Sequence, residues 1–441
     1  MPRMSAPQRI AAAAVLVIVV LAVALLALGA AGVPIGLGPD ASADASAAAS
    51  PSLPGDPGAS AAPSASAVPS AEDAEILAAL AEIEEQVIAI RGLAAADIGP
   101  PDLITRDALA AELRALFDEE YPPEERERDN LALRALGLLG PDEDVAELQL
   151  QLLGDQVLGF YDAADKRMVV VTDAGLDTAA KVTYAHEYVH ALQDAAFAPP
   201  HLDPGADLED DRALALTSLT EGDALVAMLA WAIAHLSQQE LLDFAGTEVP
   251  DTTGIPSWMV SQLQFPYTAG LTWASALSEP PLTPDFTELD AAYANPPDST
   301  EQILHLDAWE PREPPVEVAV PDLAATLGDG WEEVDDTPIG EASIGIMLEH
   351  FGIARATARA AAEGWGGDRI RIVVDGDDGF ALAWRLAWDT AADAGEFTSA
   401  YEEVVPDLPF PALVSRVSDD EVLVVHASDK ELLRQVADAA D

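Results

Sequence analysis

Thr183-Tyr184-Ala185-His186-Glu187-Tyr188-Val189-His190-Ala191-Leu192-Gln193-Asp194 decides how this chain is read. It contains His-Glu-x-x-His. On a helix, residues four apart stack on one face about one turn apart, so the two imidazoles can share one metal ion. Neutral imidazoles suit zinc, and Glu187 stands beside them to act on an attacking water. The competing reading is a pair of surface histidines on a polar helix face. Asp177 or Thr178 can cap the helix, and Pro199-Pro200 ends it. Val182, Ala185, Val189, Leu192 and Ala196 form an apolar stripe, with His186, His190 and Gln193 on the neighbouring one. The pattern predicts a helix that buries one side and holds the histidines at the border of the core.

Zinc in a catalytic site takes three protein ligands and leaves one position open. Gln193 and Ala196 stand where a metzincin carries a glycine and a third histidine, which excludes that class. His201 follows two prolines in a loop. Glu221 is the better candidate, in a long and nearly uncharged helical pattern over 213–231. A carboxylate there must be paired or must bind a metal. It is either a third ligand or the partner of an arginine such as Arg212. Gly222 permits close approach of a neighbouring element. Asp223 offers an acceptor for a ligand imidazole, and Asp210 and Asp211 read as caps of that helix.

His186-Glu187-x-x-His190-Ala-Leu-Gln-Asp194, followed by Leu219-Thr-Glu221-Gly-Asp223-Ala, resembles gluzincin-type metallopeptidases of the thermolysin-like kind. More closely it resembles membrane-anchored bacterial zincins. These carry counterparts of Gly159-Phe-Tyr-Asp162, Phe265-Pro-Tyr267-x-x-Gly270 and Pro296-Pro-x-Ser299-Thr-Glu-Gln-Ile-Leu-His305. The resemblance spans residues 71–305 and, more loosely, the rest. It implies zinc held by His186, His190 and Glu221, Glu187 as general base, and a peptide or protein substrate. The chain departs from the thermolysin-like pattern in having Glu-x-Asp, not Glu-x-x-x-Asp, which leaves the role of Asp223 open. Thermolysin-like enzymes stabilise the oxyanion with a downstream histidine or tyrosine. Tyr267 and His305 are the candidates here. Tyr267 also reads as core, among Phe265, Leu271 and Trp273. His305 also reads as the C-terminal residue of a short helix whose Ser299 and Gln302 form a capping box.

Asp and Glu number 78 against 21 Lys and Arg, a net charge of −57. That excess argues against a nucleic-acid partner and against attraction to anionic lipid. Only Lys166, Lys181 and Lys430 are lysines; an acidic, lysine-poor surface fits either a high-salt habitat or GC-rich codon usage. With no cysteine, disulfides, thiolate metal sites and a thiolate nucleophile are excluded.

Residues 1–9 read as a cytoplasmic tail. Residues 10–33 carry no charge and are long enough to span a bilayer as an uncleaved anchor. Small residues at Ala27, Gly29 and Ala31 also permit cleavage and secretion. Arg3 and Arg9 place the N-terminus inside and the rest outside the cytoplasm. An Ala/Ser/Pro/Gly-rich stalk follows at 34–70. Residues 71–310 read as a mainly helical zincin-like domain with a small β-sheet, and 311–441 as a C-terminal α+β domain, making the whole an α+β protein. Helical patterns cover 71–93, 105–119, 130–139 and 142–153, and strands 156–161 and 167–172 form a hairpin before the zinc helix. That hairpin is either an ordinary core element or an edge on which an extended peptide lies. Downstream, 341–362 reads as one helix, 369–374 with 380–388 and 413–415 with 422–426 as hairpins, and 390–404 and 430–439 as helices. The acidic turn at 375–379 lacks the acid that a calcium loop needs where Leu386 stands. Two rivals to a zinc peptidase remain: a catalytically inactive zincin-like binding protein, and a zincin acting on something other than peptides.

Overall fold

The computed structural model describes residues 70–153, 157–173, 175–202, 208–245, 252–280, 283–376 and 379–441. The expected anchor at 10–33 lies outside the described residues, as does the stalk up to Ser70. Ser70 accepts the Asp73 amide while the Asp73 carboxylate accepts the Ser70 amide, a closed box that starts α1 (Ala71–Arg91). Ile76, Leu80, Ile83 and Val87 then bury one stripe of it.

The larger core is built on three long helices: α1, α5 (Thr178–Phe197) and α6 (Asp210–His235), joined by α8 (Ser257–Leu277). Between α1 and α5 lie α2 (Arg106–Glu120), α3 (Pro123–Leu136) and α4 (Val145–Leu153). A three-stranded sheet, β1 (Asp102–Ile104), β2 (Gly159–Asp162) and β3 (Arg167–Val171), has the order β1-β3-β2. β1 runs parallel to β3 and β2 antiparallel, so β2 is an edge and lies against α5. The short β1 has no alternation to announce it. It exists because Leu103 and Ile104 pair with Val170 and Val171 from far along the chain.

α5 departs from the expected one-sided burial. Its residues Val182 to Gln193 are all buried, because α1, α6 and the β2–β3 hairpin cover different sides. α6 is buried almost throughout. Among the described residues it is the one helix long and apolar enough to cross a membrane, and the protein itself wraps it. Its cap also differs from expectation. Glu209 occupies the N-cap without a side-chain bond, and Asp211 turns inward to accept from the Thr300 amide at 3.2 Å and its hydroxyl at 2.5 Å. α6 and α8 touch backbone to backbone, with Gly222 facing Gly270 and Gly270 facing Ser218.

Past α7 (Gln238–Ala245), α9 (Thr287–Ala294), α10 (Glu301–Leu304), α11 (Leu306–Trp309) and α12 (Leu323–Leu327), the second core forms around a five-stranded antiparallel sheet. Its strands are β4 (Trp331–Thr337), β5 (Trp365–Asp375), β6 (Phe380–Trp388), β7 (Ala412–Arg416) and β8 (Glu421–Ala427), in the order β4-β5-β6-β8-β7. One face packs on α3, α13 (Glu341–His350), α14 (Arg355–Ala362) and α15 (Ala391–Val404); the other meets α12 and α16 (Lys430–Ala440). Ala132, Ala135 and Leu136 of α3 thus belong to the core of the downstream sheet. The expected single helix over 341–362 is two helices, because Gly352 takes φ +93° and turns the chain.

Candidate metal centre

His186 and His190 stack one turn apart on α5, and α6 brings Glu221 to them. The separations are 3.1 Å between the two Nε2 atoms, 3.1 Å from His186 Nε2 to Glu221 Oε2, and 3.4 Å from His190 Nε2 to the same oxygen. Three ligands of a tetrahedral ion with bonds of about 2.0–2.1 Å stand roughly 3.3 Å apart. The triangle therefore fits such an ion closely. All three side chains are buried, and together they form a His-His-Glu group that could hold a metal ion.

The surrounding hydrogen bonds fix which atoms face the centre. The Gln193 amide nitrogen donates to the Thr220 carbonyl at 2.9 Å and to Asp223 at 3.0 Å. Its oxygen is thereby turned to His190 Nδ1 at 2.9 Å and must receive a proton from it. When neutral, His190 is thereby held as the Nδ1–H tautomer, which leaves the Nε2 lone pair for a metal. Tyr267 donates its hydroxyl to Glu221 Oε1 at 3.1 Å and so leaves Oε2 turned to the histidines. His186 Nδ1 is buried without a protein partner.

Asp223 does not touch an imidazole, as one reading of the sequence had it, but acts through Gln193. It takes the Tyr293 hydroxyl at 2.8 Å and forms a fully buried ion pair with Arg91 at 2.8 Å. Arg91 also reaches Asp290 at 2.6 Å and lies over the Phe286 ring. Sequence reasoning missed Arg91. The signal was present: a charged last residue on an otherwise apolar helical stripe. Arg212, the candidate partner for Glu221, instead meets Asp298 at 3.4 Å.

Glu187 lies at 1% exposure, and its Oε2 accepts the Tyr161 amide of β2 at 3.0 Å. Oε1 is buried without a partner. Burial raises this carboxyl to about 8, against the pull of His190. Burial also opposes charge on His190, but Glu221 outweighs it and raises the imidazole to about 9. For Glu221 the burial penalty is overcome by His190 and His186, which hold it well below the ordinary carboxylate range. Tyr161 further donates its hydroxyl to Asp194 at 2.7 Å, and Lys166 pairs with the same carboxylate. The hairpin is thus pinned to the end of α5.

His201 sits in a short 3-10 turn, Pro200–Leu202, with its Nε2 at 3.1 Å from the Thr220 hydroxyl. Burial lowers it to about 4. The structure does not bring His305 to the metal group. Its Nε2 pairs with Glu341 at 2.8 Å in a separate cleft, because α10 and α11 dock on the start of α13. The capping box is half formed: Ser299 accepts the Gln302 amide at 3.4 Å, but the Gln302 side chain accepts from Asp298 and donates to the Glu313 carbonyl.

Residues 326–437 match a domain of unknown function (DUF8575), a segment that begins inside α12 and holds none of the residues of the metal group. No curated protein and no solved structure matches the chain.

Proposed function

We propose that this chain is a zinc-dependent peptidase in which Glu187 is the general base. One observation carries the reading: three ligand atoms converge at tetrahedral spacing beside a carboxylate on the same helix turn. When bound, zinc would polarise a scissile carbonyl and make water acidic enough to attack near neutral pH. The remaining steps belong to the protein. Burial raises the Glu187 carboxyl, but a divalent cation at the three ligands would favour its ionised form. With one oxygen held by the Tyr161 amide and the other free, that carboxylate takes the proton of the attacking water and delivers it to the leaving amine. Gln193 and Tyr267 hold His190 and Glu221 in their liganding orientation. β2 is an edge of its sheet and lies against α5, so it offers a strand along which an extended peptide can add. The charge-free run at 10–33 supports a membrane-anchored enzyme working outside the cytoplasm, or a secreted one after cleavage.

The reading is tested by peptide-library hydrolysis with the full chain and its Glu187→Ala variant. A loss of about 10²–10⁴-fold is expected, with fold and metal content retained. Unchanged hydrolysis in the variant would sink it. The burial of Glu187 and of all three ligands favours a second reading, a binding protein whose metal serves structure alone. That reading expects bound metal and no hydrolysis by the wild-type chain.

A further inference from the structure

We propose that a second site, separate from the metal group, binds a primary ammonium ion carried on an apolar stem. The site is a cleft of about 550 Å³ between α8, α10 and the α13–α14 pair. The His305–Glu341 pair lines it. Glu341 is 4% exposed, and its Oε1 takes His305 Nε2 at 2.8 Å. Its Oε2 is buried and has no protein partner. A buried carboxylate oxygen left without a donor costs free energy, and a ligand that supplies one recovers it.

The surroundings choose the donor. Glu301 and Glu363 stand near the pair, so a cation relieves their field where a neutral hydroxyl would not. Two arginines line the rim, but Arg355 and Arg359 both lean on Glu349, at 3.5 and 3.9 Å, and are largely exposed. Phe265, Ala269, Ile303 and Ile346 give the cleft an apolar stretch that suits an alkyl stem, beside the polar Ser261, Gln264, Thr268 and Thr272 of α8. A single water, with a share of about 30 Å³, would leave most of the cleft unfilled. A metal ion lacks ligands here: among the described residues, three or more donor groups converge only at His186, His190 and Glu221. The proposal does not rest on the peptidase reading.

The test is calorimetric titration of the full chain with n-butylammonium chloride, with n-butanol as the uncharged probe of similar shape. Saturable binding of the amine alone is expected. It should weaken at least about tenfold, or roughly 1.4 kcal/mol, in Glu341→Gln. Ala269→Phe, which adds bulk to the cleft from α8 and leaves Glu341 in place, should weaken it as much. His186→Ala should leave it unchanged. Absence of saturable binding to the folded wild-type chain at millimolar amine would overturn the proposal. So would equal binding of butanol, binding that survives Ala269→Phe, or loss of binding in His186→Ala, which would move the amine to the metal group.

Discussion

Replacing Gly222 by alanine sets two effects against each other. In a helix interior alanine is favoured over glycine by about 1 kcal/mol. Yet a Cβ at Gly222 would stand 2.6 Å from the Gly270 carbonyl carbon, nearer still to its oxygen, and 3.0 Å from the Ala274 Cβ. Ordinary contact needs about 3.5 Å, and backbone cannot rotate away as a side chain can. α6 and α8 must therefore part by about 1 Å along their closest seam. Overpacking costs about 1–3 kcal/mol, and a clash with unyielding backbone falls in the upper half of that range, which outweighs the propensity gain. The expected result is a net loss of about 1–2 kcal/mol in urea unfolding of the chelator-treated chain. Because Glu221 is the adjacent residue and Tyr267 lies on α8, metal affinity should fall as well, by about tenfold or more. Gly345→Ala is the control. Its Cβ would meet only the Ala362 Cβ, at 3.6 Å, so stability should hold or rise by up to about 1 kcal/mol. A Gly222→Ala chain as stable as the parent, with unchanged metal affinity, would refute the packing argument.

Gln193→Leu keeps the bulk of the side chain but removes the acceptor for His190 Nδ1, and should weaken metal binding about 10–100-fold in competition with a chelating dye. Arg91→Leu leaves Asp223 buried without its cation and should cost about 3–5 kcal/mol in chemical unfolding; a loss below 1 kcal/mol would show the pair to be dispensable. His426 is fully buried between the Tyr401 hydroxyl and the Ala135 carbonyl, each at 2.9 Å, and burial lowers it to about 4. Its unfolded form takes a proton near pH 6.5 and its folded form does not. It therefore contributes stability above pH 6.5 that is lost as pH falls through 4, by about 3 kcal/mol. The difference in unfolding free energy between wild type and His426→Gln should shrink by that amount between pH 7 and pH 4, and a pH-independent difference would contradict it. Asp211, raised by burial to about 8, acts in the opposite sense: its contribution is full below pH 4 and fades as pH rises through 8.

The local parts of the site were legible. His-Glu-x-x-His needs only the helical period to stack its imidazoles, and Glu221 stood out as a carboxylate in an uncharged helix that had to meet a partner. Gly222 signalled close approach, and the structure supplies Gly270 as its neighbour. What depended on distant chain was not legible. Arg91 and Asp223 are 132 residues apart, and nothing in either segment names the other. Periodicity put His186, His190 and Gln193 on a stripe beside the apolar one and so placed the histidines at a border, when three elements close over them. His305 carried a motif but not its location; Glu341 claims it through the docking of two short helices. The α+β class followed from the alternation in the downstream strands. Their shared core with α3 did not, since Ala132, Ala135 and Leu136 look like any helical stripe.

The central claim is that His186, His190 and Glu221 hold one zinc ion. The most direct measurement is the metal content of the purified chain after zinc supply and removal of loose metal, beside that of His186→Ala. The account predicts about one zinc per chain in the wild type and almost none in the variant. A folded wild-type chain without metal, or a His186→Ala chain that keeps its full complement, would contradict it.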